Sequence, residues 1–172
     1  ISHADWFVTF LAAAGDPDVA EKLKAGHELD GHSYKVHLDG YNLLPYFKGE
    51  VEECPRKEFF YWSDDGNLTG LRFDRWKMVF MEQRAKGTLL VWSNPFTPLR
   101  VPKLFHLRRD PYERADITSN TYWDWMIDKA AQGYLASAVT ARYLQTFAEY
   151  PPSQKADSWS IDKLTERYLN VE

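Results

Sequence analysis

Two tight reversals in quick succession constrain this chain more than any other feature. Glu58 to Trp62 and Leu68 to Phe73 are rich in aromatic and apolar residues, and Asp64-Asp65-Gly66-Asn67 separates them. Asp-Gly supplies the positive φ that a tight hairpin turn needs. Phe73-Asp74-Arg75-Trp76 is a second reversal, leading into Trp76-Lys77-Met78-Val79-Phe80-Met81. Strands joined by such short connections pair antiparallel, because parallel neighbours need a crossover of about a dozen residues or more. Thr88 to Trp92 is expected as a fourth strand and Leu104 to Leu107 as a fifth. Alternation sets Lys77 on the opposite face from Trp76 and Met78, where it is expected to form a salt bridge.

Helical patterns flank this meander. Asp5 to Ala14 reads as a helix with Trp6, Phe10, Ala13 and Ala14 on one side, ended by Gly15 and Asp16-Pro17. Pro17 and Asp18 open a second short helix through Val19, Leu23 and Lys24, and Gly26 closes it. His27 to Leu38 has no period and is expected as loop. Asp39-Gly40 is a turn, Leu43 to Phe47 an apolar plug closed by Gly49, and Glu50 to Lys57 a charged surface. Asp110-Pro111 with Glu113 has the form of a helix start, with Asp at the cap and Pro at the first helical position. The longest helical pattern runs from Asn120 to Glu149 through Trp123, Met126, Ile127, Ala130, Tyr134, Ala138, Ala141 and Ala148. Ser119 or Asn120 can cap it, Pro151-Pro152 stops it, and Gly133 marks an expected kink. This spacing assigns Trp123 to the core and leaves Trp125 partly exposed. Ser160 to Leu169 is a last short helix with Ile161, Leu164 and Tyr168 inward. The fold class is therefore α+β: an antiparallel four- to five-stranded sheet packed against a long C-terminal helix, with N-terminal helices, in one domain of residues 1–172.

Composition narrows the function classes. A net charge of −4 with no basic run gives no reason to expect nucleic acid. No apolar stretch approaches the roughly 18 residues that span a bilayer. The one cysteine, Cys54, rules out an internal disulfide framework. His27, His32 and His37 recur every five residues, a spacing that suits neither a helix face nor a strand face, so no metal site is assigned. Aromatic residues make up 16% of the chain. That is enough for an aromatic core, and also for a surface meant for a partner.

Four segments, in order, resemble the C-terminal region of the sulfatase family. They are Ser2-His3-Ala4-Asp5-Trp6-Phe7-Val8-Thr9 with Leu11 and Ala14-Gly15, Leu38-Asp39-Gly40 to Leu43-Leu44-Pro45 with Gly49-Glu50, Leu71-Arg72 to Trp76-Lys77, and Leu104 to Ile117 with its Asp110-Pro111-Tyr112-Glu113 centre. Val8 stands where the family usually has proline. The resemblance is to a bacterial-type arylsulfatase. It implies that this chain is a C-terminal subdomain whose catalytic N-terminal domain is absent, since the chain opens at Ile1 inside a motif with no start methionine.

What the resemblance implies for chemistry lies outside these residues. The family's nucleophile is a formylglycine matured from a Cys-x-Pro-x-Arg type motif, beside a calcium ion held by Asp and Asn residues. Cys54-Pro55-Arg56 has the wrong spacing for that motif, with Glu58 in the arginine slot, and reads as an incidental surface cysteine. No catalytic residue and no metal ligand is assigned here, and residues 1–172 alone are expected to be inactive. The family's sulfate-binding lysine also lies upstream. The Pro-rich stretch from Ser93 to Pro102 is either a lid over this domain's own core or a wall at the mouth of the active site, and in the second case Trp92, Phe96 and Arg100 are the substrate-rim candidates. Expected partners are the N-terminal catalytic domain and a sulfate ester, and the resemblance leaves a periplasmic or secreted location open. A non-catalytic binding or oligomerisation module, associating with a second copy of itself, is the alternative.

Overall fold

The computed structural model describes residues 1–85, 87 and 89–152. The helix expected over Ser160 to Leu169 lies outside them. The sheet is built as its turns dictate. Strands β3 (Glu58–Trp62), β4 (Leu68–Phe73), β5 (Trp76–Gln83) and β6 (Phe96–His106) form a four-stranded antiparallel meander in sequence order. Gly66 takes φ +77° in the first turn, and Asp74 takes +50° in the second. A separate hairpin, β1 (His27–Leu29) with β2 (His32–Tyr34), occupies part of the segment expected to be loop. Asp30 and Gly31 turn it at positive φ, so two residues that tolerate the left-handed region were its signal.

Two expectations about the third crossing are corrected. Leu90–Ser93, expected within a fourth strand, is a single turn of helix, α4. Side-chain amides hold it: Gln83 Nε2 donates to the carbonyls of Val91 and Asn94, and Asn94 Nδ2 donates to that of Leu90. The proline-rich stretch is not a loop but the first half of β6. Its prolines are tolerated because β6 is an edge strand, and Pro98 lies opposite Met81. Between the Val79–Lys103 and Met81–Pro98 pairs, two steps along β5 answer to five along β6, so the strand bulges around Leu99 to Pro102.

One face of the sheet is covered by helices α6 (Tyr122–Asp128) and α7 (Ala130–Glu149). The shared core is Leu71, Phe73, Met78 and Leu104 from the sheet with Ala136 from α7, flanked by Phe60, Trp76, Phe80, Trp125, Met126 and Val139. The expected long helix breaks at Lys129, where the backbone leaves helical geometry, and Gly133 stays helical. The expected inward stripe is also corrected. Ala130, Tyr134, Ala138, Ala141 and Ala148 are exposed, and the line that packs inward is Gly133, Ala136, Val139, Tyr143 and Phe147. Alanines on both sides of the helix hid which side carried the larger contacts. Tyr143 lies flat on Phe60 with ring centres 3.8 Å apart. Trp123, expected in the core, is exposed, whereas Trp125 is half-buried as expected and stacks on Trp76. Tyr122 is the buried aromatic there, its hydroxyl donating to the Leu104 carbonyl and accepting from the Leu104 N–H.

The segment after β6 crosses the sheet's other face. Glu113 has φ +53°, which no helix interior accepts, so the helix expected from Asp110 does not form there. Asp110 instead accepts from the backbone N–H groups of Arg114 and Ala115, at 3.0 and 2.8 Å, and so starts the short helix α5 (Ala115–Thr118) one turn later. At the N-terminus, helices α1 (His3–Ala13) and α2 (Val19–Ala25) and the turn of helix α3 (Leu44–Phe47) pack against the β3 end of the sheet through residues 39–43 and Arg56. Among the described residues no helix is long and apolar enough to cross a membrane.

Candidate functional site

A network of buried and half-buried polar groups lies where α1 meets the sheet. Ser2 and Asp5 form a capping box, each side chain satisfying backbone N–H groups at the helix start. Asp5 is one turn further in and fully buried. Its carboxylate accepts from Tyr41 N–H at 2.9 Å and from Arg56, with Nε at 2.8 Å and Nη2 at 2.5 Å. Arg56 then reaches the Asp39 and Glu58 carbonyls, and its guanidinium lies 4.7 Å from the Tyr41 ring centre. Thr9, one turn along the same face, accepts from Leu43 N–H at 3.0 Å and donates to the Tyr41 carbonyl. Gly40 fits here for want of a side chain: a Cβ would overlap the Ala4 carbonyl and crowd Val8.

The electrostatics follow from this geometry. Burial alone would raise the Asp5 pKa, but the hydrogen bonds from Arg56, Tyr41 and Ser2 outweigh it and hold the carboxyl below its ordinary value. Burial, then the hydrogen bond to Glu58, pushes Tyr41 up to about 12. Burial, then Asp39, does the same for Tyr143. At neutral pH Asp5 is ionised and both tyrosines are protonated donors, so these groups hold a shape and do not exchange protons. A cleft of about 560 Å³ opens beside them, walled by Tyr41, Arg56, Glu58, Phe60, Trp62 and Tyr143.

The sheet face away from α7 is fastened by ions. Lys77, on the opposite face from Trp76 and Met78 as expected, pairs with Glu113 at 2.7 Å. Lys103 pairs with Asp116 at 2.6 Å and with Glu82. Burial lowers the Lys103 pKa, but these two carboxylates more than reverse the effect.

The substrate-rim candidates lie at the far end of the sheet from α1. Trp92 is 87% exposed on α4. Phe96 begins β6 opposite Gln83 and lines a cavity of about 240 Å³ with Lys77, Met81 and Phe105. Arg100 is exposed on the β6 bulge. Among the described residues no hydrogen bond or aromatic pair joins these three. His27 and His32 are exposed on the small hairpin, and His37 lies 3.2 Å from Asp39. No group of three or more His, Cys, Asp or Glu side chains able to hold a metal occurs among the described residues. Cys54 is a half-buried free thiol. The Asp5–Arg56 pair escaped sequence reasoning. Its only local sign was the capping-box spacing of Ser2 and Asp5, and nothing near Arg56 announces a partner 51 positions away.

No family model matches the sequence, and no curated protein matches it. Among solved structures the chain is similar to the crystal structure of the PsFucS1 sulfatase from Pseudoalteromonas sp., with a TM-score of 0.52 and 21% identity over 69% of this chain. The chain spans 23% of the length of that sulfatase. It shares the fold of less than a quarter of a sulfatase.

Proposed function

We propose that this chain is the C-terminal subdomain of an arylsulfatase, a sulfuric ester hydrolase, and that it braces the catalytic domain. The observation that carries the reading is the agreement of two likenesses. Four sequence segments resemble the sulfatase C-terminal region in order, and the folded chain is similar to part of a solved sulfatase. The fold places those segments in structural roles: Asp5 and Thr9 pin α1 to residues 39–43, and Glu113 from the fourth segment pairs with Lys77 from the third. The motif residues thus hold elements to one another. A bracing subdomain needs that property.

In this reading the formylglycine and calcium belong to the catalytic domain, and no step of hydrolysis is assigned to residues 1–172. The candidates for reaching substrate in this reading are Trp92, whose exposure on α4 supports the role, together with Phe96 and Arg100. The test is to read the gene upstream of Ile1 and assay the full-length protein on an aryl sulfate. A Cys-x-Pro-x-Arg type motif and turnover of the ester are the expected results. Trp92→Ala in that protein should raise KM with little change in kcat, the pattern of lost ground-state binding. An upstream region without the motif, in a protein inert towards sulfate esters, would sink the proposal and leave a binding module.

A further inference from the structure

Helix α1 is apolar on two opposite sides. Its inner side, Val8, Thr9 and Ala12 with the neutralised Asp5, packs into the fold. Its outer side presents Trp6, Phe7 and Phe10 to solvent, with Phe10 63% exposed. Trp6 stacks between Phe10 at 5.3 Å and Phe47 of α3 at 5.8 Å, so the rings form one continuous patch. Nothing on the helix solvates that patch. From His3 to Ala13 the only Asp, Glu, Lys or Arg is Asp5, and it is buried. A helix that is hydrophobic all round is a buried helix, and contiguous exposed aromatics mark an interaction surface.

We propose that this outer face of α1, together with Phe47, is the docking surface for the polypeptide that precedes Ile1 in the full-length protein. The inference rests on that part of the functional reading which places a catalytic domain before this one. Two observations select this occupant over a second copy. The chain spans only 23% of the sulfatase it resembles, so most of such a protein lies outside it. A preceding segment also enters at Ser2, the cap of this same helix, within two or three turns of all three aromatic residues. A domain tethered there has an effective concentration in the millimolar range, which a free second copy does not approach.

The test uses the full-length protein with Cys54→Ser and a reporter cysteine, either Phe10→Cys or Tyr134→Cys, the latter on the exposed side of α7, with labelling read by mass spectrometry on the reporter's own peptide. Maleimide labelling under native conditions should be slower at position 10 than at position 134, on the order of tenfold or more, and independent of protein concentration. Equal rates would overturn the proposal. Protection at position 10 that disappears on dilution would overturn it in favour of a second copy. If Phe10→Cys does not fold, hydroxyl-radical footprinting of the unaltered protein reads Trp6, Phe7 and Phe10 against Tyr134, with protection of the three as the expected result. Aryl sulfate turnover is a separate readout. A full-length protein that protects position 10 but hydrolyses no sulfate ester keeps this surface and removes the enzymatic reading.

Discussion

Helices α7 and α1 are joined to the rest of the fold by different means. Helix α7 is held against the sheet mainly by apolar contact, with Ala136 and Val139 against Leu71, Met78 and Leu104. Helix α1 is held by a buried carboxylate and guanidinium, with Arg56 fixing Asp5, Asp39 and Tyr41 at once. Apolar contact stabilises in proportion to area and tolerates small shifts. A buried ion pair adds little net stability, because desolvation offsets the attraction, but it punishes any displacement that leaves a charge alone. The difference teaches that α7 is there to hold the sheet together and α1 to be held in one place. The docking proposed for its exposed aromatic face requires that kind of fixing.

The largest expected effect breaks the comparison at its charged end. Asp5→Ala leaves Arg56 unpaired and should cost about 4 kcal/mol, within the range for stranding one partner of a buried pair. Chemical denaturation of the variant measures it. Asp5→Leu with Arg56→Met should recover much of the loss, and a double variant as unstable as the single one would show that position-specific contacts, not the stranded charge, dominate. Acid sharpens the same point. The Asp5 pKa is lowered in the folded state, so its contribution is whole above the ordinary value of 3.8 and is lost as pH falls below it. The stability gap between wild type and Asp5→Ala should narrow in that window.

In the apolar core under α7, Leu71→Ala should cost about 3 kcal/mol, in the usual range for a fully buried leucine. No second substitution at a charged site should repair it. In alkali the raised values of Tyr41 and Tyr143, about 12 against an ordinary 10.0, make their contribution complete below pH 10 and lost between there and about 12. Ultraviolet titration should show two late phenols, with stability declining over the same interval. The smallest effect is a gain. Gly133 is inside α7, and a methyl group there would meet only the Met78 side chain at 3.7 Å. Gly133→Ala should therefore stabilise by about 0.5–1 kcal/mol. A loss would mean that the α7 joint is packed more tightly than its apolar character implies.

How much of this was legible in the sequence follows the range of the forces. The hairpins were legible because Asp65-Gly66 and Asp74-Arg75 carry their turns locally, and Lys77 was legible because alternation is a property of one strand. The edge position of β6 was hidden, since Pro98 and Pro102 break a strand by propensity and are admitted because, among the described residues, no strand pairs with the outer side of β6. The sides of α1 and α7 were hidden as well. In α1, Trp6, Phe7 and Phe10 are the largest apolar residues and yet face outward, while Asp5 and Thr9 face inward because Arg56 and residues 41–43 supply partners from far along the chain. The exposure of the rim candidates Trp92 and Arg100 was not legible, because it depends on the α4 turn and on a bulge that only pairing with β5 defines.

The most direct measurement is hydrolysis of a chromogenic aryl sulfate by the full-length protein and by residues 1–172 alone. A bracing subdomain predicts metal-dependent turnover by the former and none by the latter. Turnover by residues 1–172, or a full-length protein inert towards sulfate esters, would contradict it.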